Sequence, residues 1–167
     1  MTKSLAALSA ALMLTVAAAP LAAQAAATPS ATATATQGFR WGPQVSWEFE
    51  GDRVGVGVRA ENSLAALLGS DRWAGMPEFN WFIGNVNWFD FNYDIAYRFR
   101  TPKLQPYVGG GLNASIVSGN GNTNFDVHLN AIGGLKFKPM GKVTPIVQLR
   151  YLIAGGDALI LTGGILF

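Results

Sequence analysis

The stretch Phe89-Asp-Phe-Asn-Tyr-Asp-Ile-Ala-Tyr-Arg-Phe-Arg100 gives the clearest indication of the fold, because large apolar and aromatic side chains alternate in it with polar or small ones. Successive side chains of a β-strand point to opposite faces, whereas those of a helix repeat about every 3.6 residues. The stretch therefore predicts a β-strand with one apolar face and one polar face. Both of its aspartates and both of its arginines lie on the polar face.

The same alternation recurs on both sides of this stretch and gives eight segments between residues 40 and 167. Each charged residue between 38 and 167 lies on a polar face or in a turn. The third segment is the weakest, because Pro77 cannot donate a hydrogen bond within a sheet. The pattern predicts an all-β fold, an eight-stranded antiparallel up-and-down transmembrane β-barrel preceded by a signal peptide. The predicted strands cover approximately residues 40–50, 53–61, 72–83, 89–100, 107–116, 125–138, 144–153 and 159–167.

The N-terminal part of the chain differs in composition from the rest. Residues 1–25 have the order of a secretory signal peptide, with a charge at Lys3, an apolar stretch and a small-residue site at Ala23-Gln-Ala25. We expect cleavage after Ala25. Residues 26–37 are mostly Ala and Thr and predict a flexible tether, because they cannot bury enough apolar surface to offset the entropy of ordering. The predicted barrel domain is 38–167.

Composition excludes several kinds of site. The 167 residues include no Cys and a single His, so disulfides, thiolate ligands and multi-histidine metal sites are impossible. We expect no metal and no cofactor. The 12 basic and 10 acidic residues are scattered along the chain, so nucleic acid is not an expected partner.

The apolar face is expected to point outward, toward lipid. It carries more bulky aromatic residues than an eight-stranded barrel can hold inside. Many of them lie near the ends of the segments, as in the aromatic girdles at the two membrane interfaces. One group is Trp41, Trp73, Phe99, Phe137 and Phe167, and the other is Phe49, Trp81, Phe89 and Phe125. A soluble lipocalin-like carrier, with the apolar face inside, is the alternative.

The polar face then predicts a network of ion pairs inside the barrel, because buried charges must be paired and hydrogen-bonded. A narrow water or ion path is the alternative, for which eight strands leave little room. The predicted members of the network are Glu48, Glu50, Arg53, Arg59, Asp90, Asp94, Arg98, Arg100, Asp126 and Arg150.

Three stretches resemble a known family. They are Pro106-Tyr-Val-Gly-Gly-Gly-Leu112, which is similar to the family's PYVGAGL strand, Asp94-Ile-Ala-Tyr-Arg-Phe99, and Leu161-Thr-Gly-Gly-Ile-Leu-Phe167. Over about residues 38–167 the chain resembles the small bacterial outer-membrane β-barrels of the OmpA/OmpX-like group, close to the families described as outer membrane protein β-barrel domains.

The resemblance implies a location in the bacterial outer membrane, in contact with outer-membrane lipid and lipopolysaccharide. It also implies assembly with periplasmic chaperones and the barrel-insertion machinery. The insertion signal would be the alternating C-terminal residues Leu161, Gly163, Ile165 and Phe167. We expect a monomer.

The expected function is that of a non-enzymatic integral barrel with a structural or envelope-maintenance role and a lumen filled by side chains. A lipid- or small-apolar-molecule-binding barrel is the alternative. It is suggested by apolar residues on the inner face of the last three strands, namely Ile132, Ile146, Leu152, Ile160 and Leu166. An adhesin is disfavoured, because the connections predicted to face outward (51–52, 84–86, 118–124 and 155–157) are short.

An enzyme is a weaker possibility. His128 shares a face with Asp126, and Ser115 on the neighbouring strand points the same way, which makes these three the weak catalytic candidates. Outer-membrane lipid A deacylases use a serine, a histidine and an acid at the rim of a barrel, but their serine and histidine lie close together on one strand. The run Gly109-Gly-Gly111 lies within a strand, so it predicts close backbone approach or a bend and not a phosphate-binding loop.

Overall fold

The computed structural model describes residues 38–84, 86–102, 104–119, 121–153 and 158–167. The predicted signal peptide of residues 1–25 and the predicted tether of residues 26–37 lie outside the described residues. The predicted turn at 155–157 lies outside them as well.

Eight antiparallel strands form a closed barrel, in which each strand pairs with the next along the chain and the last pairs with the first. The predicted all-β up-and-down fold is therefore confirmed. The strands are β1 (Arg40–Glu48), β2 (Arg53–Ser63), β3 (Trp73–Ile83), β4 (Asn87–Arg98), β5 (Leu104–Gly119), β6 (Asn122–Phe137), β7 (Thr144–Ile153) and β8 (Leu159–Leu166). We call the end where β1 begins and β8 ends the terminal rim, and the opposite end, with the β1–β2 turn, the hairpin rim.

One short helix, α1 (Ala65–Leu68), lies in the connection between β2 and β3 at the terminal rim. Its C-terminus is closed by Gly69, which has a left-handed backbone conformation with φ of 68°. In the described part of the chain, no helix is long and apolar enough to cross a membrane.

The strand that contains Pro77 forms in spite of the proline. On the β4 side Pro77 is paired with Tyr93, whereas on the β2 side the register passes from Arg59↔Glu78 directly to Asn62↔Gly75. Proline lacks the backbone N–H that a ladder between two strands needs. The ladder between β2 and β3 is therefore interrupted at the proline, and the strand continues beyond it.

The apolar row of β4 points away from the barrel axis. Phe91 and Tyr93 are 47% and 48% exposed, whereas Asp90 and Asp94 on either side of them are fully buried. The predicted orientation is confirmed, and the soluble lipocalin-like alternative, which needed the apolar row inside, is wrong.

The hairpin of β5 and β6 is longer than the sequence predicted. These strands are paired along 16 residues each, from Leu104↔Phe137 to Gly119↔Asn122. The predicted loop at 118–124 is therefore mostly strand, and the difference arises because Asn and Thr on both faces hide the alternation. The pairing of β6 with β7 ends at Leu129↔Ile153, so residues 122–128 extend beyond the last described pair with β7.

The predicted close backbone approach in the glycine run is confirmed on the inner side of β5. A Cβ atom at Gly111 would lie 2.0 Å from the carbonyl oxygen of Tyr93 and 2.7 Å from the Cα of Asp94. A Cβ at Gly109 would lie 2.2 Å from the carbonyl oxygen of Ile95. The backbones of β4 and β5 therefore approach each other too closely here for any residue larger than glycine.

Alanine substitutions at two strand glycines test this approach. We expect Gly111→Ala to lower the free energy of unfolding by about 1–3 kcal/mol, because the added methyl group forces the backbones apart. Gly133→Ala is the control, since nothing lies within 4 Å of its added Cβ. It should raise the free energy of unfolding by about 0.4–1 kcal/mol, because alanine reduces the conformational entropy of the unfolded chain. Urea unfolding in lipid vesicles measures both values, and shifts of the same sign and size would contradict the close approach.

Candidate functional site: the barrel interior and its mouth

Arg150 is the centre of the ionic contacts inside the barrel. It is fully buried on β7, and its Nη2 donates to Oε2 of Glu78 at 2.8 Å and to Oδ2 of Asp94 at 2.7 Å. Its Nη1 lies 3.8 Å from Oδ2 of Asp90. Because Glu78 is on β3, on the opposite side of the closed barrel, this one guanidinium bridges the cross-section.

Glu78 is shared between two arginines. Its Oε1 lies 2.9 Å from Nη2 of Arg59 on β2, while its Oε2 accepts from Arg150. Gln148 completes the arrangement, since it donates to Oε1 of Glu78 at 3.0 Å and accepts from Arg59 at 2.9 Å. The hydroxyl of Tyr107 also donates to Gln148, at 2.9 Å. Five strands, namely β2, β3, β4, β5 and β7, are thus joined through one connected set of buried polar groups.

A second ionic cluster lies near the terminal rim. Glu61 pairs with Arg98 at 2.7 Å and with Lys136 at 2.5 Å, and all three side chains are buried. Glu61, Glu78 and Lys136 were absent from the predicted network, although alternation places them on the polar face. The register pair Arg59↔Glu78 on neighbouring strands was the signal that could have identified Glu78.

Amide side chains surround the buried carboxylate of Asp90. Asn92 donates to Oδ2 of Asp90 at 2.6 Å, and Asn113 donates to Oδ1. Asn113 also donates to Asn92 Oδ1 at 2.8 Å. These groups replace the water that a carboxylate would otherwise need, because hydrogen bonds to a charged group offset much of its cost of burial.

We call the ion pairs of Arg59, Glu78, Asp94 and Arg150 the ionic layer. Buried apolar residues form two separate clusters above and below it. The cluster near the terminal rim consists of Ala74, Met76, Ala96, Tyr107 and Ile132. The cluster near the hairpin rim consists of Phe82, Trp88, Leu152, Ala158 and Ile160, with Val117 against it. On β3, Glu78 and Asn80 lie between Met76 and Phe82, so polar side chains separate the two apolar clusters.

The predicted members of the network fall into two groups. Those in the described ion pairs and amide contacts of the interior are Arg59, Asp90, Asp94, Arg98 and Arg150. Glu48 is buried too, but its carboxylate accepts the backbone N–H groups of Glu50 and Gly51 at 2.8–2.9 Å and so shapes the β1–β2 turn.

The other four predicted members lie outside the interior contacts. Glu50 is exposed in the turn after β1, and Arg100 is exposed after β4, where it pairs with Asp71. Asp126 is exposed on the part of β6 that extends beyond the described pairs with β7. Arg53 is half-buried, with its guanidinium carbon 5.7 Å from the ring centroid of Trp88. The alternation continues past the ends of β1 and β4 and therefore did not show where these strands end.

A cavity of about 370 Å³ opens at the hairpin rim, and we call it the mouth cavity. The three weak catalytic candidates line it, with Ser115 buried, His128 half-buried and Asp126 exposed. Ser115 is the register partner of Asp126, and His128 is the partner of Asn113. Among the described residues, no hydrogen bond joins the Ser115 hydroxyl to His128, which a serine–histidine relay would require. The described ranges also contain no group of three or more carboxylate and imidazole side chains suited to a metal ion.

Sequence reasoning missed Trp88 as a wall of the mouth cavity. Trp88 lies on the inner face of β4 and stacks on Phe82, with the ring centroids 4.6 Å apart. The signal was present in the sequence, because Trp88 is an aromatic residue at a position where alternation calls for a polar one.

The C-terminal residues close the barrel. Leu161, Gly163, Ile165 and Phe167 follow one another on the outer face of β8 and just after it. The ring of Phe167 lies 6.2 Å from that of Trp41, and its backbone N–H donates to the carbonyl of Trp41 at 2.9 Å. Their suggested use as an insertion signal stays a prediction.

Comparisons with known proteins agree with this architecture at the level of the fold. No protein-family model matches the chain. No curated protein matches it either. The N-terminal β-barrel domain of Pseudomonas aeruginosa OprF is 18% identical, with a TM-score of 0.60, and the match covers 77% of this chain and 96% of that one.

Two further solved structures match over the same share of the chain. Neisserial surface protein A is 13% identical, with a TM-score of 0.57, and the match covers 77% of this chain and 94% of that one. A de novo designed transmembrane β-barrel is 15% identical, with a TM-score of 0.54 and coverage of 77% and 92%. The chain therefore has the fold of the small eight-stranded transmembrane β-barrels. The resemblance to outer-membrane barrels of the OmpA-like kind is confirmed for that fold.

Removal of the central guanidinium tests the ionic layer. We expect Arg150→Met to lower the free energy of unfolding by about 3–5 kcal/mol, because it leaves the carboxylates of Glu78 and Asp94 less compensated in a buried site. Arg100→Met is the matched control, since the Arg100–Asp71 pair is exposed and is worth about 0–1 kcal/mol. Urea unfolding in lipid vesicles measures both variants, and a loss of less than 1 kcal/mol at Arg150 would show that the layer is not a major source of stability.

Proposed function

We propose that the chain is an integral barrel of the bacterial outer membrane, with a structural or envelope-maintenance role and a lumen filled by its own side chains. The observation that carries this proposal is the bridge from Arg150 on β7 to Glu78 on β3, with Arg59 on the other side of the same carboxylate. An interior crossed by paired charges and fixed amides leaves little space for a passing solute.

The outer surface supports residence in a bilayer. Along β1 and β2, Val45, Val54, Val56 and Val58 are each 45–56% exposed and form an aliphatic band. Aromatic pairs border this surface at both rims: Trp41–Phe167 and Trp73–Tyr97 at the terminal rim, and Trp47–Phe49 and Trp81–Phe89 at the hairpin rim. A membrane selects this distribution, because aromatic side chains favour the two interfaces and aliphatic ones the hydrocarbon.

The proposed orientation places the terminal rim in the periplasm and the hairpin rim outside the cell. Because the number of strands is even, the first strand begins and the last strand ends on the same side of the membrane. A cleaved signal peptide would deliver the chain to the periplasm. Outer-membrane lipid, lipopolysaccharide, periplasmic chaperones and the insertion machinery are the proposed partners of a monomer.

The lipid-binding alternative has less support than the filled interior. Its five apolar residues are all buried, but Ile132 packs in the cluster near the terminal rim while Leu152 and Ile160 pack in the other cluster. A contiguous apolar pocket would require these five residues to lie in one cluster. The absence of an enzymatic activity stays part of the proposal.

A charge placed on the outer face tests the membrane assignment. We expect Tyr93→Arg to reduce the yield of folded barrel in lipid vesicles, because an arginine facing mid-bilayer lipid costs about 2–4 kcal/mol. Asn122→Arg is the control, since Asn122 is exposed at the end of the β5–β6 hairpin. Heat-modifiable migration on gels measures the folded fraction, and equal yields for the two variants would contradict the membrane assignment.

Bilayer conductance tests the filled lumen. We expect the wild-type barrel in a planar bilayer to give no unitary conductance steps, because the bridge through Arg150 and Glu78 blocks the cross-section. The double variant Arg150→Ala, Glu78→Ala should give steps, whereas Arg100→Ala, Asp71→Ala at the exposed rim should not. Steps of equal size in the wild type and the first double variant would rule out the filled lumen.

A further inference from the structure

The mouth cavity differs in its charges from the interior below it. Three carboxylates line it, those of Glu48, Glu50 and Asp126, together with one guanidinium, that of Arg53. None of these four groups takes part in an ion pair with another described residue. The interior, in contrast, places its carboxylates beside arginine or lysine. The mouth therefore keeps an excess of negative charge at a concave surface, which attracts cations.

One buried polar group of the mouth cavity has no partner among the described residues. Trp88 is 6% exposed, and its Nε1–H donates to nothing in the described part of the chain. Buried donors are nearly always hydrogen-bonded in proteins, so an unpartnered one is unusual and indicates a missing acceptor. A bound molecule with an acceptor oxygen would satisfy the indole N–H.

The wall of the cavity can hold an apolar body as well as a charge. Leu152, Ala158 and Val117 line one part of it, beside the indole of Trp88. The guanidinium carbon of Arg53 already lies over the indole, 5.7 Å from its centroid, so a bound cation would lie toward the carboxylates and not over this ring. A volume of about 370 Å³ lies within the range of about 300–1,000 Å³ found for small-molecule sites.

We propose that the mouth cavity binds a small organic ammonium cation that carries a hydroxyl or carbonyl oxygen. The ammonium group lies toward the carboxylates of Glu50 and Asp126, its alkyl groups pack against Leu152 and Trp88, and its oxygen meets the hydroxyl of Ser115 or the indole N–H. This site is separate from the ionic layer that carries the proposed structural role, so either proposal can fail while the other stands.

Choline is the probe, because it combines a quaternary ammonium group with a hydroxyl. Titration of choline into the full chain, folded in lipid nanodiscs, is followed by the NMR signal of the Trp88 indole N–H and by calorimetry. We expect saturable binding and a shift of the Trp88 signal. The neutral isostere 3,3-dimethyl-1-butanol should bind at least about tenfold more weakly, since it keeps the shape and loses the charge.

Two exposed carboxylates provide variants that leave the barrel intact. The double variant Glu50→Gln, Asp126→Asn should weaken choline binding by about tenfold, because each change removes a charge and keeps the shape of the side chain. Asp71→Asn, an exposed carboxylate at the terminal rim, is the matched control and should change binding less than about twofold. Circular dichroism and heat-modifiable migration show that each variant is folded.

Absence of saturable choline binding to the folded wild type would overturn the proposal. Equal binding of choline and its neutral isostere would overturn it as well, since charge would then play no part. If Asp71→Asn weakened choline binding as much as the double variant Glu50→Gln, Asp126→Asn, the effect would be one of net charge in general. That result would also count against a site in the mouth cavity.

Discussion

The contact between Arg150 and the carboxylates of Glu78 and Asp94 constrains the whole barrel. A one-residue slip in the register of β7 would turn Arg150 outward and bring Leu149 inside, so Asp94 would lose its ion pair and Glu78 would keep only Arg59. Because the partners come from β3 and β4, on the far side, the pairing fixes how those strands face the axis too. The apolar outer face and the paired interior are therefore two consequences of one register.

Most of the fold was predictable from the sequence, because the alternation of side chains reports strands and their faces directly. The row from Phe89 to Arg100 shows this clearly. The ends of the strands were not predictable in the same way, since Glu50 and Arg100 continue the alternation after β1 and β4 have ended. Partners across the barrel, such as Glu78 for Arg150, depend on closure and on the stagger between strands, which the pattern within one strand does not contain.

The mouth cavity was only partly predictable. Alternation placed Ser115, Asp126 and His128 on one face, and the structure places them around the same cavity. Trp88 was missed because the fourth strand was predicted to begin one residue later, at the first member of the regular row. Trp88 and Leu152 break the alternation, and both line the cavity. Departures from a local rule often mark the places where a protein does something other than fold.

The long β5–β6 hairpin has a consequence for the order of assembly. Its partners are neighbours along the chain, so it can form early with little loss of chain entropy, whereas the β1–β8 seam joins residues more than a hundred positions apart. We expect the β5–β6 hairpin to form first and β4 and β7 to pair with it. The pairing of β1 with β8, which closes the barrel, should form last. Until that moment the sheet has two free edges, whose unpaired backbone groups are open to pairing with another chain.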